Sequence, residues 1–244
     1  MRALSASELL EIWEYGASQP QVQRALELLE AACPETSRDA LAALSIGERD
    51  AEMFGLRQRL WGPALTGFAA CPGCRERLEL NLDTRQFLAG FTGKSPRDLS
   101  LSVGEYNLTF RLPTSVDMIA AAPLTDLEEC RELILDRCLL SAQRGDVAID
   151  PGDLPADVVA GIANCMADAD PLADIQIRLA CPNCEHVWRA PFDIVSFLWT
   201  EIEVWASRIL QDVHTLAAAY GWNERDILSL SPVRRQYYLE MAGA

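Results

Sequence analysis

Cys71-Pro72-Gly73-Cys74 and Cys181-Pro182-Asn183-Cys184 are the residues of this chain best suited to chemistry. A Cys-x-x-Cys turn offers two sulfurs, half of a tetrahedral site, and thiolates are favoured ligands of zinc. The pairs stand 110 positions apart, and their surroundings repeat at that offset: ACPGCRERLELNLDTRQFL against ACPNCEHVWRAPFDIVSFL. Asp83 matches Asp193, Phe87 matches Phe197 and Leu88 matches Leu198, while Leu78, Leu80 and Leu82 stand opposite Trp188, Ala190 and Phe192. Each copy reads as a cysteine knuckle, a strand and the start of a helix. The expectation is one closed structural zinc site on Cys71, Cys74, Cys181 and Cys184, a split zinc ribbon. Ligands so distant meet only if the intervening segment folds back, so metal binding is expected to be coupled to tertiary folding.

A catalytic zinc keeps one position open and usually takes histidine or carboxylate ligands. The chain has two histidines. His186 could replace a sulfur or simply begin a strand, and His214 lies beside the apolar stripe of a long helix. Asp83 and Asp193 could act at the metal or cap the helices that follow them. No Gly-rich phosphate loop, His-Glu-x-x-His helix or Gly-x-Ser-x-Gly elbow occurs. The expectation is a protein that is not an enzyme. Cys33, Cys130, Cys138 and Cys165 fall on apolar helical faces, where free cysteine packs as a small hydrophobe.

The elements that must position these residues are mostly helical. Ser5 with Glu8 and Ser45 with Glu48 are capping boxes, the first opening a helix through Leu9, Leu10, Ile12 and Trp13. Val22, Leu26, Leu29 and Cys33 continue at helical spacing until Pro34, and Met53, Leu56 and Leu60 form a stripe ending near Gly62. Tyr106, Leu108, Phe110 and Leu112 alternate as a strand after a turn at Gly104, as do Ile175, Ile177 and Leu179 before the second pair. Residues 115–169 read as helix, with Thr125 and Glu128 capping a segment whose Leu127, Cys130, Ile134 and Cys138 share a face. Leu198, Ile202, Trp205, Ile209, Val213 and Leu216 form the strongest amphipathic stripe, and Ser231-Pro232 opens a last helix. The fold class expected is α+β, mostly α-helical: helical ends around a small β-containing split ribbon with a helical insertion. Its parts are a helical region 1–62, a first ribbon half 63–113, an insertion 114–172, a second ribbon half 173–195 and a helical region 196–244.

Half of the 244 residues are hydrophobic, enough for a core, and 36 acidic against 21 basic residues give a net charge of −15. That is opposite to the footprint selected by phosphate backbones, so no nucleic-acid partner is expected, and a zinc-ribbon regulator is the weaker alternative. No apolar run reaches the ~18 residues of a membrane span. Met1 leads into Ser5 and Glu8 rather than a signal-type core. Paired cysteines suit a reducing compartment, and a cytoplasmic location is expected.

Three stretches, LSIGERDAEMFGLRQRLWGPALTGFAACPGC, LACPNCEHVWRAPFDIVSFLWTEIEVWA and LAAAYGWNERDILSLSPVRRQYYLEMA, with FRLPTSVD between the first two, give the chain a family likeness. It resembles the T-even-type hub-associated baseplate family of contractile phage tails and extracellular contractile injection systems. The resemblance implies a non-enzymatic structural component or hub-assembly factor, whose partners are other baseplate or hub proteins and which could enter the finished particle. Trp222, Arg234, Arg235, Tyr237 and Tyr238, near Trp199, Trp205 and Tyr220, are either a partner-binding surface or core and solvated face, since aromatics and arginine favour interfaces.

Overall fold

The computed structural model describes residues 1–243. The chain opens with four helices, α1 (Ala6–Gly16), α2 (Gln21–Ala32), α3 (Arg38–Ala42) and α4 (Ile46–Trp61). Both expected capping boxes form. The hydroxyls of Ser5 and Ser45 accept from the N–H groups of Glu8 and Glu48, whose carboxylates accept from the serine N–H groups in return. These pairs satisfy donors that a helix start otherwise leaves open. α2 ends at Ala32, just ahead of the Cys33-Pro34 step that disfavours helical backbone.

Next come the hairpin of β1 (Ala64–Ala70) and β2 (Arg77–Asp83), a one-turn α5 (Thr84–Leu88), and the hairpin of β3 (Leu99–Val103) and β4 (Tyr106–Phe110). Gly104 turns the second hairpin with φ of +58°, a conformation glycine adopts without steric cost. Then follow α6 (Ser115–Ala121), α7 (Leu127–Cys138), β5 (Leu139–Arg144), β6 (Val147–Ala148) and α8 (Ala156–Ala169). The hairpin of β7 (Ile175–Ala180) and β8 (Val187–Phe192) leads into the 27-residue α9 (Ile194–Tyr220), then α10 (Glu224–Ser229) and α11 (Pro232–Ala242). The result is α+β, with two two-stranded sheets and one four-stranded antiparallel sheet in the order β3-β4-β5-β6.

The four-stranded sheet corrects the reading of 114–172 as helical. β5 pairs with β4, Leu108 opposite Ala142 and Thr109 opposite Ser141, so strands assigned to the first ribbon half are bonded to the insertion. Leu139 and Leu140 prolong the apolar pattern of α7 without alternating, so only the ladder to β4 makes them strand. Behind this sheet, Leu108, Phe110, Val158 and Ile162 form a core of their own with α8. The N-cap of α7 is Asp126 rather than Thr125, its carboxylate accepting from the N–H groups of Glu128 and Glu129. Leu127 is exposed rather than on a shared apolar face.

The main core joins the helical ends: Leu9, Leu26, Leu29, Met53 and Phe54 pack on Leu198 and Ile202 of α9. The far half of α9 carries Val213 and Leu216 into a smaller cluster with Ile227 and Leu239. Two buried aspartates tie the insertion down. Burial pushes Asp117 up, but donation from Arg111, Thr114 and Arg137 outweighs this and holds it well below the usual carboxylate range. Asp170 accepts from Gly47 N–H at 2.9 Å and from the Ser95 hydroxyl at 3.2 Å. A Cβ at Gly47 would stand 2.0 Å from that carboxylate, so the contact requires glycine. Among the described residues, no helix is long and apolar enough to cross a membrane.

Candidate metal centre

Each cysteine pair sits at the tip of a hairpin, and the two tips have the same construction. Cys71 N–H donates to Glu76 carbonyl and Arg75 N–H to Cys71 carbonyl; at the 110-residue offset, Cys181 N–H donates to His186 carbonyl and Glu185 N–H to Cys181 carbonyl. Arg75 and Glu185 carry the only left-handed φ angles outside glycine among the described residues, +64° and +58°. Both follow the second cysteine of a pair, where the chain must turn back under the sulfurs. Sequence reasoning missed this pair, although the repeat contained it.

The tips face each other, and the four sulfurs all lie within 4.8 Å of one another. Closest approach is crosswise: Cys71 Sγ is 3.6 Å from Cys184 Sγ, and Cys74 Sγ 3.5 Å from Cys181 Sγ. A tetrahedral ion with metal–sulfur bonds of ~2.3 Å needs sulfurs about 3.8 Å apart, so these residues fit a four-thiolate metal site. Cys71 and Cys181 are buried, whereas Cys74 and Cys184 face outward.

The close packing of the sulfurs sets two of the thiols apart electrostatically. The Cys74 thiol is drawn down to about 7, first by the Glu76 N–H and then by Cys184, Cys181 and Asn183. The Cys184 thiol goes up to about 12 although the His186 N–H favours its thiolate, because Cys74, Cys71 and Cys181 crowd it. Sulfurs this close ionise together only around positive charge.

The remaining candidates lie outside the cluster. The His186 ring stacks on Trp188, 6.0 Å between centroids, and His214 is exposed on α9. Asp83 and Asp193 are N-caps, accepting from the N–H groups of Arg85 and Ser196. The two copies are interlocked beyond the sulfurs. Phe87 of the first stacks on Phe192 of the second at 5.2 Å and on Phe54 at 5.3 Å, while Phe197 of the second lies 3.6 Å from where a Cβ on Gly67 would stand.

The proposed partner surface divides. Arg235 is buried and donates to Asp212 at 3.1 Å, and Trp222 packs edge-on against Tyr238 and stacks on Tyr220, each at 4.8 Å. Trp222 and Tyr238 thus pack on the C-terminal cluster and Arg235 is buried beside Asp212, leaving Arg234 and Tyr237 as the exposed members. Trp199 is likewise interior, under the guanidinium of Arg24. Against known proteins, no family model, no curated protein and no solved structure matches this chain.

Proposed function

We propose that the chain is a non-enzymatic structural or assembly protein of a contractile phage-tail-like particle, clasped by one zinc ion on Cys71, Cys74, Cys181 and Cys184 as a split zinc ribbon. The observation that carries the structural clasp is the convergence of two knuckles, 110 residues apart, on one four-sulfur site. Four thiolates leave a tetrahedral ion no open position for substrate, which is the composition of a structural site. Among metals taking such a donor set, zinc and iron lead, and zinc adds no redox activity to a scaffold. The ion supplies the positive charge that lets the sulfurs ionise together. The chain supplies its placement, joining the hairpin that follows α4 to the hairpin that opens α9.

The tail setting is supported by the likeness of Leu44 to Cys74, Leu179 to Ala206 and Leu216 to Ala242 to the baseplate family. The net charge of −15 supports a protein partner over nucleic acid. Elemental analysis of the purified protein tests the metal, with one zinc and no iron per chain expected. Affinity purification of the tagged protein from its native producer, with mass spectrometry of free and sedimented fractions, tests the setting. Baseplate or hub proteins recovered with it in particles indicate a component, and recovery in the free pool alone indicates an assembly factor. No tail protein in either fraction removes the tail reading and advances the nucleic-acid regulator, whose mark is binding that weakens steeply with salt.

A further inference from the structure

We propose that the open edge of β1 and the facing side of α9 form a docking groove for an extended, acidic segment of another protein, which adds to β1 as a third strand. Hydrogen bonding at the two ends of the β1-β2 ladder, Thr84 N–H to Pro63 carbonyl and Cys71 N–H to Glu76 carbonyl, fixes which groups face inward. By antiparallel alternation Leu65, Gly67 and Ala69 bond to β2, while the N–H and carbonyl groups of Thr66 and Phe68 point away from it. Among the described residues, no backbone group of another element bonds to them.

An edge left this way templates pairing, and proteins ordinarily blunt it with charge or proline. Three of the four knuckle strands are blunted: β2 by Arg77, Glu79 and Asp83, β7 by Arg178, β8 by Arg189 and Pro191. The seven residues of β1, Ala-Leu-Thr-Gly-Phe-Ala-Ala, include neither. Beside this edge lies a groove of about 630 Å³, walled by Thr66 and Phe68 on one side and Phe197, Val204, Trp205 and Arg208 on the other. Phe68 is 56% exposed and Val204 49%, so apolar side chains wait on both walls. Strand addition draws affinity from such a backbone edge and selectivity from the pockets beside it.

The charge of the groove selects the occupant. Glu201 on its wall is neutralised by Arg57, whose two donors reach it at 2.8 and 3.0 Å. Arg208 has no carboxylate within ion-pair distance among the described residues, nor has Arg77, which lies 3.9 Å over the Phe68 ring. Arg77 and Glu79 both lie on β2, which contributes nothing to the groove walls, and they offset each other beside Phe68, so among the described residues Arg208 is the unpaired charge on the wall itself. A chain of net charge −15 thus keeps its free charge here positive. The surface does not depend on which particle the protein serves.

Two capped decapeptides of alternating valine, one with glutamate and one with lysine between, provide the probe for the zinc-loaded full chain at about 150 mM salt. Overall charge favours the lysine peptide, and the groove favours the glutamate peptide. We expect saturable binding of the glutamate peptide by fluorescence anisotropy, about tenfold weaker for Arg208→Glu. Thr66→Pro, which removes an outward N–H and no β1-β2 backbone bond, only the exposed bond from the Thr66 hydroxyl to Asn81 Oδ1, should weaken it comparably with metal content retained. Thr66→Val, which removes that side-chain bond alone, should leave binding unchanged. Preference for the lysine peptide, or glutamate-peptide binding indifferent to Arg208→Glu and Thr66→Pro, overturns the proposal. Self-association by sedimentation that Arg208→Glu abolishes also overturns it, assigning the groove to a second copy of this chain.

Discussion

The two copies of the knuckle, strand and helix unit agree closely in their first dozen residues and diverge in what they carry. Turn bonds, left-handed residues and capping aspartates coincide at a constant offset, because sulfur placement tolerates little variation. After the cap, the first copy supplies one helical turn, and the second supplies α9, which runs through the main core and the C-terminal cluster. The unit that shapes the four-sulfur cluster is therefore local and repeated, while the architecture built on it is not. The first copy contributes a short helix whose Phe87 plugs the second. The second contributes the long wall beside the first copy's open strand.

The largest test of that equivalence is at the sulfurs. If the copies are interchangeable, the cost of substitution follows position within a knuckle rather than the copy. Cys71→Ser and Cys181→Ser, at the buried positions, should each abolish stoichiometric metal and lose on the order of 5 kcal/mol, about 10–20 °C in melting temperature for a chain of this size. Cys74→Ser and Cys184→Ser, at exposed positions that water can fill, should keep weaker metal binding and a smaller loss. Elemental analysis with thermal denaturation checks both pairs. A split by copy, with Cys71 and Cys74 costly and Cys181 and Cys184 cheap, would break the comparison.

Below the cap the copies should respond differently. Phe87 is held in a three-ring stack with Phe54 and Phe192, so Phe87→Ala should cost about 2–4 kcal/mol. Phe197, its counterpart, meets Phe192 at a tilt and borders the groove, and Phe197→Ala should cost about 1 kcal/mol. Denaturant midpoints of both variants measure the difference, and equal losses would mean that the helices, too, are equivalent.

The caps come next in size. Asp193 heads 27 residues of helix and also accepts from Gln21 of α2, so Asp193→Ala should cost about 1–2 kcal/mol. Asp83 heads one turn, and its second partner is the exposed Arg85. Asp83→Ala should cost distinctly less by the same measurement, since the helix is one turn and surface pairs contribute little.

Legibility in the sequence followed how local each feature is. Both Cys-x-x-Cys pairs, both serine capping boxes and the α9 stripe are readable because a motif or period within a few residues determines each, and the repeat at a 110-residue offset is what joins the two pairs into one cluster. β5 is not readable, because Leu139-Leu140-Ser141-Ala142 has no alternation and becomes strand only against β4, some thirty residues earlier. Nothing near Arg235 in sequence shows that Asp212 of α9 takes its guanidinium into the interior, so its type alone makes it a candidate contact. The groove was unreadable for the same reason: Thr66 and Arg208 share it only once the copies are interlocked.

The smallest effect sharpens the comparison most, because it concerns the positions where the copies should be the same. Arg75 and Glu185 hold left-handed backbone angles in which a Cβ crowds the following carbonyl, at roughly 1–2 kcal/mol for a residue other than glycine. Glycine removes that crowding but gives back about 0.5–1 kcal/mol through the greater freedom of its unfolded chain. Arg75→Gly and Glu185→Gly should therefore each stabilise the metal-loaded protein by about 0.5–1 kcal/mol, or about 1–4 °C in melting temperature. The side chains removed have opposite charges, so a gain common to both must come from the backbone they share, whereas gains of opposite sign would trace it to charge beside the thiolates.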